Sequence, residues 1–168
     1  EEGLTRFDGY DFVTFTKSNT ALPSNSITWL APGSSSTLWI GTAAGLVRYR
    51  DGYFTTFTTK DGLPDNVITS LLEDREGVLW VAAGINLARF QNGKFTGFSH
   101  DSLRPVQTVR AIHEDRQGTV WIAGDGGLLR FDQGNFVPVL GPAELNGNSP
   151  IAIRSDRNRN IWISGTKG

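Results

Sequence analysis

The chain has 168 residues, 38% hydrophobic and 20% charged, with a formal charge of −1. That length supports one domain with a sizeable core, and the near-neutral balance argues against nucleic acid or an anionic membrane as an electrostatic partner. No apolar run is long enough to span a bilayer and no signal peptide is visible, so no membrane contact is expected of this segment.

The first recognisable pattern is Gly3-Leu4-Thr5-Arg6-Phe7, followed by a turn at Asp8-Gly9 and a second apolar stretch ending at Phe15. It returns as Gly45-Leu46-Val47-Arg48-Tyr49, Asn86-Leu87-Ala88-Arg89-Phe90 and Gly127-Leu128-Leu129-Arg130-Phe131, each followed by a turn and an aromatic: Asp51-Gly52-Tyr53-Phe54, Asn92-Gly93-Lys94-Phe95, Gln133-Gly134-Asn135-Phe136. Between these stretches Trp39, Trp80, Trp121 and Trp162 recur at intervals of 41 residues. Two of the Trp follow an apolar run and an acidic turn, Glu73-Asp74-Arg75-Glu76-Gly77 and Glu114-Asp115-Arg116-Gln117-Gly118. The last copy weakens to Ser155-Asp156-Arg157-Asn158-Arg159, and the first loses its charges (Pro32-Gly33-Ser34-Ser35-Ser36). A fixed period of this size means one structural unit copied several times.

Each unit holds four short runs of β-branched and aromatic residues separated by Gly, Asp, Asn and Ser, a strand pattern without helical periodicity. In the second full unit the runs predict strand A at 67–73, B at 78–83, C at 86–91 and D at 94–99. Asp74 to Gly77 reads as a type I turn closed by a left-handed Gly, and Asn92-Gly93 as a two-residue hairpin. The expected fold is all-β: a β-propeller of four-stranded antiparallel blades in four 41-residue repeats. The segments expected are strands C–D of a blade at 1–16, blades at 26–57, 67–99 and 108–140, and strands A–B of a blade at 149–168. Trp39, Trp80, Trp121 and Trp162 then serve inter-blade packing. Arg6, Arg48, Arg89 and Arg130 are expected to lay their stems over apolar surface, with the heads on a carbonyl, carboxylate or ring. The acidic turn residues are read as turn chemistry.

The pattern Leu63-Pro64-Asp65-Asn66 through Trp80 to Phe95, and more loosely Leu22-Pro23-Ser24-Asn25 through Phe54, resembles the two-component regulator propeller repeat. Ile40-Gly41-Thr42 keeps the commoner ending after Trp, whereas Val81-Ala82-Ala83 and Ile122-Ala123-Gly124 depart from it. The resemblance implies the periplasmic or extracellular sensor part of a bacterial inner-membrane protein, often with seven blades or two rings in tandem. A β-sandwich linker, a transmembrane helix and a cytoplasmic output module, commonly a histidine kinase or a diguanylate cyclase, would follow, and in the best understood members the signal is a carbohydrate fragment. It implies a segment that binds and does not catalyse.

The absence of Cys suits an oxidising compartment, though cytoplasmic domains lack it too. A chain without Met that begins Glu1-Glu2 reads as a processed or excised piece. The pattern stops at Gly168 in the phase at which it starts at Gly3, so an incomplete ring that associates is expected. The specific form is a dimer in which strands C–D of one chain complete strands A–B of the other; a self-closed four-bladed ring and an open segment are the alternatives.

Alternating strands put the D–A and B–C connections at one end of every blade, and variable polar loops on a rigid frame are the natural place for a ligand. The candidates are Lys17, Asn19, Lys60, Asp61, His100, Asp101, Arg104, Glu144 and Asn146 on D–A loops, with Asn86 and Asp125 on B–C turns beside Thr42 and Lys167. These types suit a sugar or uronate; solvated turns are the plainer reading. No catalytic residues, metal site or cofactor are expected. His100 and His113 sit on different elements without Cys, and Glu73 and Glu114 are copies of one turn residue. Two other functions are weighed: a protein-interaction scaffold without a small ligand, and, more weakly, a propeller-type polysaccharide lyase or glycosidase.

Overall fold

A computed structural model describes residues 3–166. Its strands form five antiparallel sheets. The first is a two-stranded half-blade of β1 (Leu4–Phe7) and β2 (Phe12–Phe15). Blade I follows with β3 (Ile27–Pro32), β4 (Leu38–Thr42), β5 (Gly45–Arg50) and β6 (Tyr53–Phe57). Blade II has β7 (Ile68–Glu73), β8 (Leu79–Ala83), β9 (Asn86–Gln91) and β10 (Lys94–Phe98). Blade III has β11 (Val109–Glu114), β12 (Val120–Gly124), β13 (Gly127–Asp132) and β14 (Asn135–Leu140). A second half-blade, β15 (Pro150–Ser155) and β16 (Ile161–Gly165), ends the series. Strands within each blade pair in chain order, and strands A of neighbouring blades (β3, β7, β11, β15) lie side by side. The fold is a β-propeller of four-stranded blades, as the repeat predicts.

The turns follow local chemistry. The hairpins Asp51-Gly52, Asn92-Gly93 and Gln133-Gly134 hold both residues at positive φ, which matches the twist of the flanking strands. Asp8-Gly9 differs: the connection runs on to Asp11, and the Asp8 carboxylate accepts the Tyr10 and Asp11 amides at 3.0 Å each. The left-handed position closing each A–B turn survives where its Gly does not, since Ser36 and Arg159 stand there at φ 58 and 69. Two short 3-10 turns, Thr59–Asp61 and His100–Leu103, occupy D–A loops in which no helix was expected. Both are set by a capping side chain, Thr58 or Ser99, too local to leave a periodic signal.

The core sits between blades. Trp80 is 2% exposed, covered by Phe98 of its own blade at 5.8 Å and by Phe131 and Phe136 of blade III at 4.8 and 6.4 Å. Trp39 repeats this with Phe57 and with Phe90 of blade II. The indole N–H, the one polar atom of so large a ring, needs an acceptor when buried. Asp74 supplies it to Trp80 at 2.8 Å while its other oxygen takes the Glu76 and Val78 amides of the turn. Asp115 does the same for Trp121, and Asp156 for Trp162. One carboxylate therefore closes the turn and anchors the Trp.

Blade I has Gly33 in that position, and the anchor comes from next door. Glu73 of blade II accepts the Trp39 indole at 2.6 Å and the Ser34 amide at 2.7 Å. A Cβ on Gly33 would meet the Glu73 carboxylate at 2.6 Å. Burial pushes the Glu73 carboxyl up, but the Ser34 and Trp39 hydrogen bonds outweigh it and leave it below the usual carboxylate range. Glu114, the corresponding residue of blade III, reaches back likewise, taking the Arg75 amide at 3.1 Å and its Nε at 2.6 Å.

Gly33→Asp should therefore destabilise the chain by about 1–3 kcal/mol, through a second carboxylate forced against Glu73. Adding Glu73→Ala should recover part of that loss, because the introduced carboxylate can then take the indole. A double-mutant cycle in urea denaturation measures it. Strictly additive losses would contradict the shared-anchor account.

Candidate functional site

The two ends of the propeller differ in how far their polar groups are already used. At the A–B and C–D end, a groove of about 420 Å³ between blades II and III is lined by Arg75, Trp80, Arg89, Glu114 and Phe131 among others. Apart from Glu76, its charged side chains are engaged. Arg75 holds Glu114 and donates to the Asp115 and Arg116 carbonyls at 2.7 and 3.2 Å. Arg89 lies over the Trp80, Phe98 and Phe131 rings at 5.3–5.9 Å. Arg48 lies over Phe57 at 5.9 Å, Arg130 pairs loosely with Asp132 at 3.8 Å, and Arg6 is exposed. This larger groove is the clasp between two blades.

At the other end each strand A carries a β-bulge at its second residue. In blade III this residue is Arg110, and it forms a two-bond ion pair with Asp125 at 2.7 and 2.8 Å. The Arg110 hydrogen bond holds the Asp125 carboxyl below the ordinary range, against the opposing effect of burial. Neither partner has a charged counterpart in the other blades (Thr28, Thr69 and Ile151; Ala43, Gly84 and Thr166), so the pair is specific to blade III.

Several other candidates hold their own loops together. Asn19 accepts the Thr16 amide and donates to the Thr14 carbonyl; Asp61 caps the Thr59–Asp61 turn through the Thr58 amide. Glu144 accepts the Gly141 amide at 2.9 Å, and Asp101 pairs with Arg104 at 3.2 Å on the surface. Asn146 sits in a left-handed turn at φ 48. The Lys17, Lys60, His100 and Asn86 side chains make no hydrogen bond or ion pair within the described residues; Lys167 lies outside them.

Of all these residues, His100 and Arg104 share a concavity: a cleft of about 340 Å³ completed by Pro105, Val106, Gln107 and Pro142. Its origin is local. In the preceding loops Asn25 accepts the Lys17 amide at 2.7 Å and Asn66 the Thr59 amide at 3.0 Å, drawing the loop onto the blade. Gln107 stands at this repeat position before blade III, and its side chain makes no such bond. Gln107, Pro105 and Pro142 were not expected in the site, although the Asn-to-Gln change is visible in the aligned repeats.

His113 lies elsewhere, in a groove of about 250 Å³ along strands A with Trp29, Leu72 and Arg154. Its Nε2 accepts the Ser155 amide at 3.0 Å. Burial, then the Arg154 charge, lower its pKa against the pull of Asp115. Among the described residues no cluster of His, Asp or Glu has the makings of a metal site.

A family model for the two component regulator propeller matches residues 21–44, 62–84 and 104–126, the D–A loop through strand B of three successive units. Over these three stretches the chain matches the two component regulator propeller repeat. Two of the similar solved structures are extracellular domains from B. thetaiotaomicron, BT3049 and BT4673, both assigned to hybrid two component systems. BT3049 is 25% identical with a TM-score of 0.78, covering 92% of this chain and 22% of its own. BT4673 is 25% identical with a TM-score of 0.74, covering 97% and 21%. The chain thus spans about a fifth of the length of either domain. A virginiamycin B lyase from Staphylococcus aureus solved with quinupristin, 18% identical at a TM-score of 0.72 over 95% of this chain and 54% of its own, shares the propeller fold. No curated protein matches the sequence. Among the described residues no helix is long and apolar enough to cross a membrane.

Because its folded-state value is depressed, the Asp125 carboxylate stabilises the chain above the ordinary range near 3.8, and that contribution is lost as pH falls through the lowered value. Arg110→Ala should bring the Asp125 titration, followed by carboxyl NMR, up toward 3.8. A titration unmoved by the substitution would show that Arg110 is not the cause.

Proposed function

We propose that this segment is the ligand-sensing face of an extracytoplasmic β-propeller in a bacterial membrane-bound signalling protein, and that its signal passes to a C-terminal output module. The observation that carries this reading is the His100–Arg104–Gln107 cleft. It gathers two of the candidate residues, His100 and Arg104, at the variable loop end of the frame. Likeness at 25% identity to extracellular domains of hybrid two component systems supports the sensor class and a periplasmic location.

An Arg guanidinium, an imidazole and a primary amide beside two proline rings offer donors and flat apolar surface, which suits an acidic sugar or a uronate-bearing oligosaccharide. Binding without catalysis is the role read here, supported by the likeness to extracellular domains of hybrid two component systems. An interaction scaffold has an observation of its own: Tyr10 and Tyr53 stand 93% and 78% exposed on C–D hairpins at the opposite end, the kind of aromatic that anchors a protein partner.

Calorimetric titration with neutral and uronate-bearing oligosaccharides separates the two readings. The sensor reading expects saturable binding of an acidic sugar that Arg104→Ala weakens about tenfold or more, while Tyr53→Ala leaves it unchanged. No binding by any acidic or neutral oligosaccharide, or binding indifferent to Arg104, would turn the assignment toward the scaffold.

A further inference from the structure

The loop that forms the cleft departs from the repeat at two points, and both fall in the same unit. At one repeat position stand Asn25, Asn66 and Asn148, and Gln107 alone breaks the series. Asn66 takes the Thr59 amide at 3.0 Å and so latches the start of its loop onto the blade. His100 corresponds to Thr59 at the same spacing, but the Gln107 side chain makes no hydrogen bond among the described residues, and this latch is open. The second departure is the Arg110–Asp125 ion pair, which replaces uncharged residues of the other blades.

The pair sits at the base of the unlatched loop. Asp125 belongs to the B–C turn of blade III, which is already tied to that base through the backbone. Its carbonyl accepts the Gln107 amide at 2.7 Å, and its amide donates to the Thr108 carbonyl at 3.1 Å. The glycines of the turn press on a cleft residue: a Cβ on Gly126 would meet the Pro105 carbonyl oxygen at 2.5 Å, and one on Gly127 the Pro105 ring at 2.7 Å. Arg110 adds two bonds to the Asp125 carboxylate, a fork that fixes direction as well as distance. After Arg110, the Ser149 and Thr108 side chains also lower the pKa of this carboxyl by hydrogen bonding, against burial. Ser149 ends the next D–A loop, the one that brings Pro142 to the cleft. One carboxylate therefore touches both loops from which the cleft is made. Below it, Leu103 and Val106 are buried in the core between blades II and III, while His100 and Arg104 stay exposed.

We infer that Arg110 and Asp125 are positioning residues of the cleft: they hold the base of its loop where the Asn latch is missing, so that the cleft stays open at a fixed width. Neither has to touch the ligand. Exposed ion pairs contribute little as a rule, but this one has two-bond geometry and side chains only 43% and 28% exposed. Its part in binding rests on the ligand-sensing reading, while the positioning does not.

Amide hydrogen exchange, followed by NMR on the ligand-free chain, tests the positioning. Arg110→Ala should speed exchange of the Gln107 amide about fivefold or more and leave the Lys17 and Thr59 amides, in the latched loops, unchanged. Arg110→Lys, which keeps the charge without the fork, should recover part of the difference. Gln107→Asn should restore the latch and slow the His100 amide. An unchanged Gln107 rate in Arg110→Ala, or equal acceleration of all three amides, overturns the inference. With a uronate-bearing oligosaccharide as the probe, Arg110→Ala and Gln107→Asn should each weaken binding about threefold or more. Faster Gln107 exchange with binding unaltered overturns the part played in binding. Absence of binding by the unaltered chain overturns the sensor reading alone, because exchange is read without a ligand.

Discussion

A buried indole between blades, held by a carboxylate, is the interaction on which the rest of the structure depends. A four-stranded blade has two apolar faces and cannot bury either alone. Trp on strand B fills the space to the next blade, and its N–H would be left unpaired there without an acceptor, a cost of about 1–3 kcal/mol. The acidic turn residue meets that need and closes the turn with its second oxygen. Packing between blades and hairpin geometry within a blade are thereby fixed by the same side chain, and both repeat with the same period. Strands A, the bulges at their second residues and the loops beyond them take their places from this frame.

Blade I shows that the frame needs a carboxylate at a point in space more than Asp at a point in the sequence. Gly33 vacates the position and Glu73 reaches across to fill it. The two blades become tied more tightly than the aligned repeats imply, because the anchor of one is a residue of the other. Glu114 and Arg75 extend the same logic to blades II and III.

The architecture was legible because the signal is periodic: the Trp interval, the Asn-Gly and Asp-Gly hairpins and the short β-branched runs all specify one unit. Departures from the period were harder to read. The acidic turn residues look like turn chemistry alone in the sequence, since the indole they hold lies six positions away. The loop-end cleft was less legible still. Polar loop residues such as Asn19, Asp61 and Glu144 look alike in sequence whether they face a ligand or stitch their own loop, and here they stitch it. The informative change was a small one, Gln107 where Asn25 and Asn66 draw in the preceding loops. A rigid frame that repeats and a loop that departs from the repeat divide stability from recognition between different residues.

Hydrogen exchange of the indole N–H groups, followed by NMR, tests the central role of the anchored Trp most directly. The Trp39 and Trp80 indole protons should exchange at the rate set by global unfolding, and Glu73→Ala should accelerate Trp39 far more than Trp80. Rapid exchange of both in the unaltered chain, or equal acceleration of both by Glu73→Ala, would contradict the account.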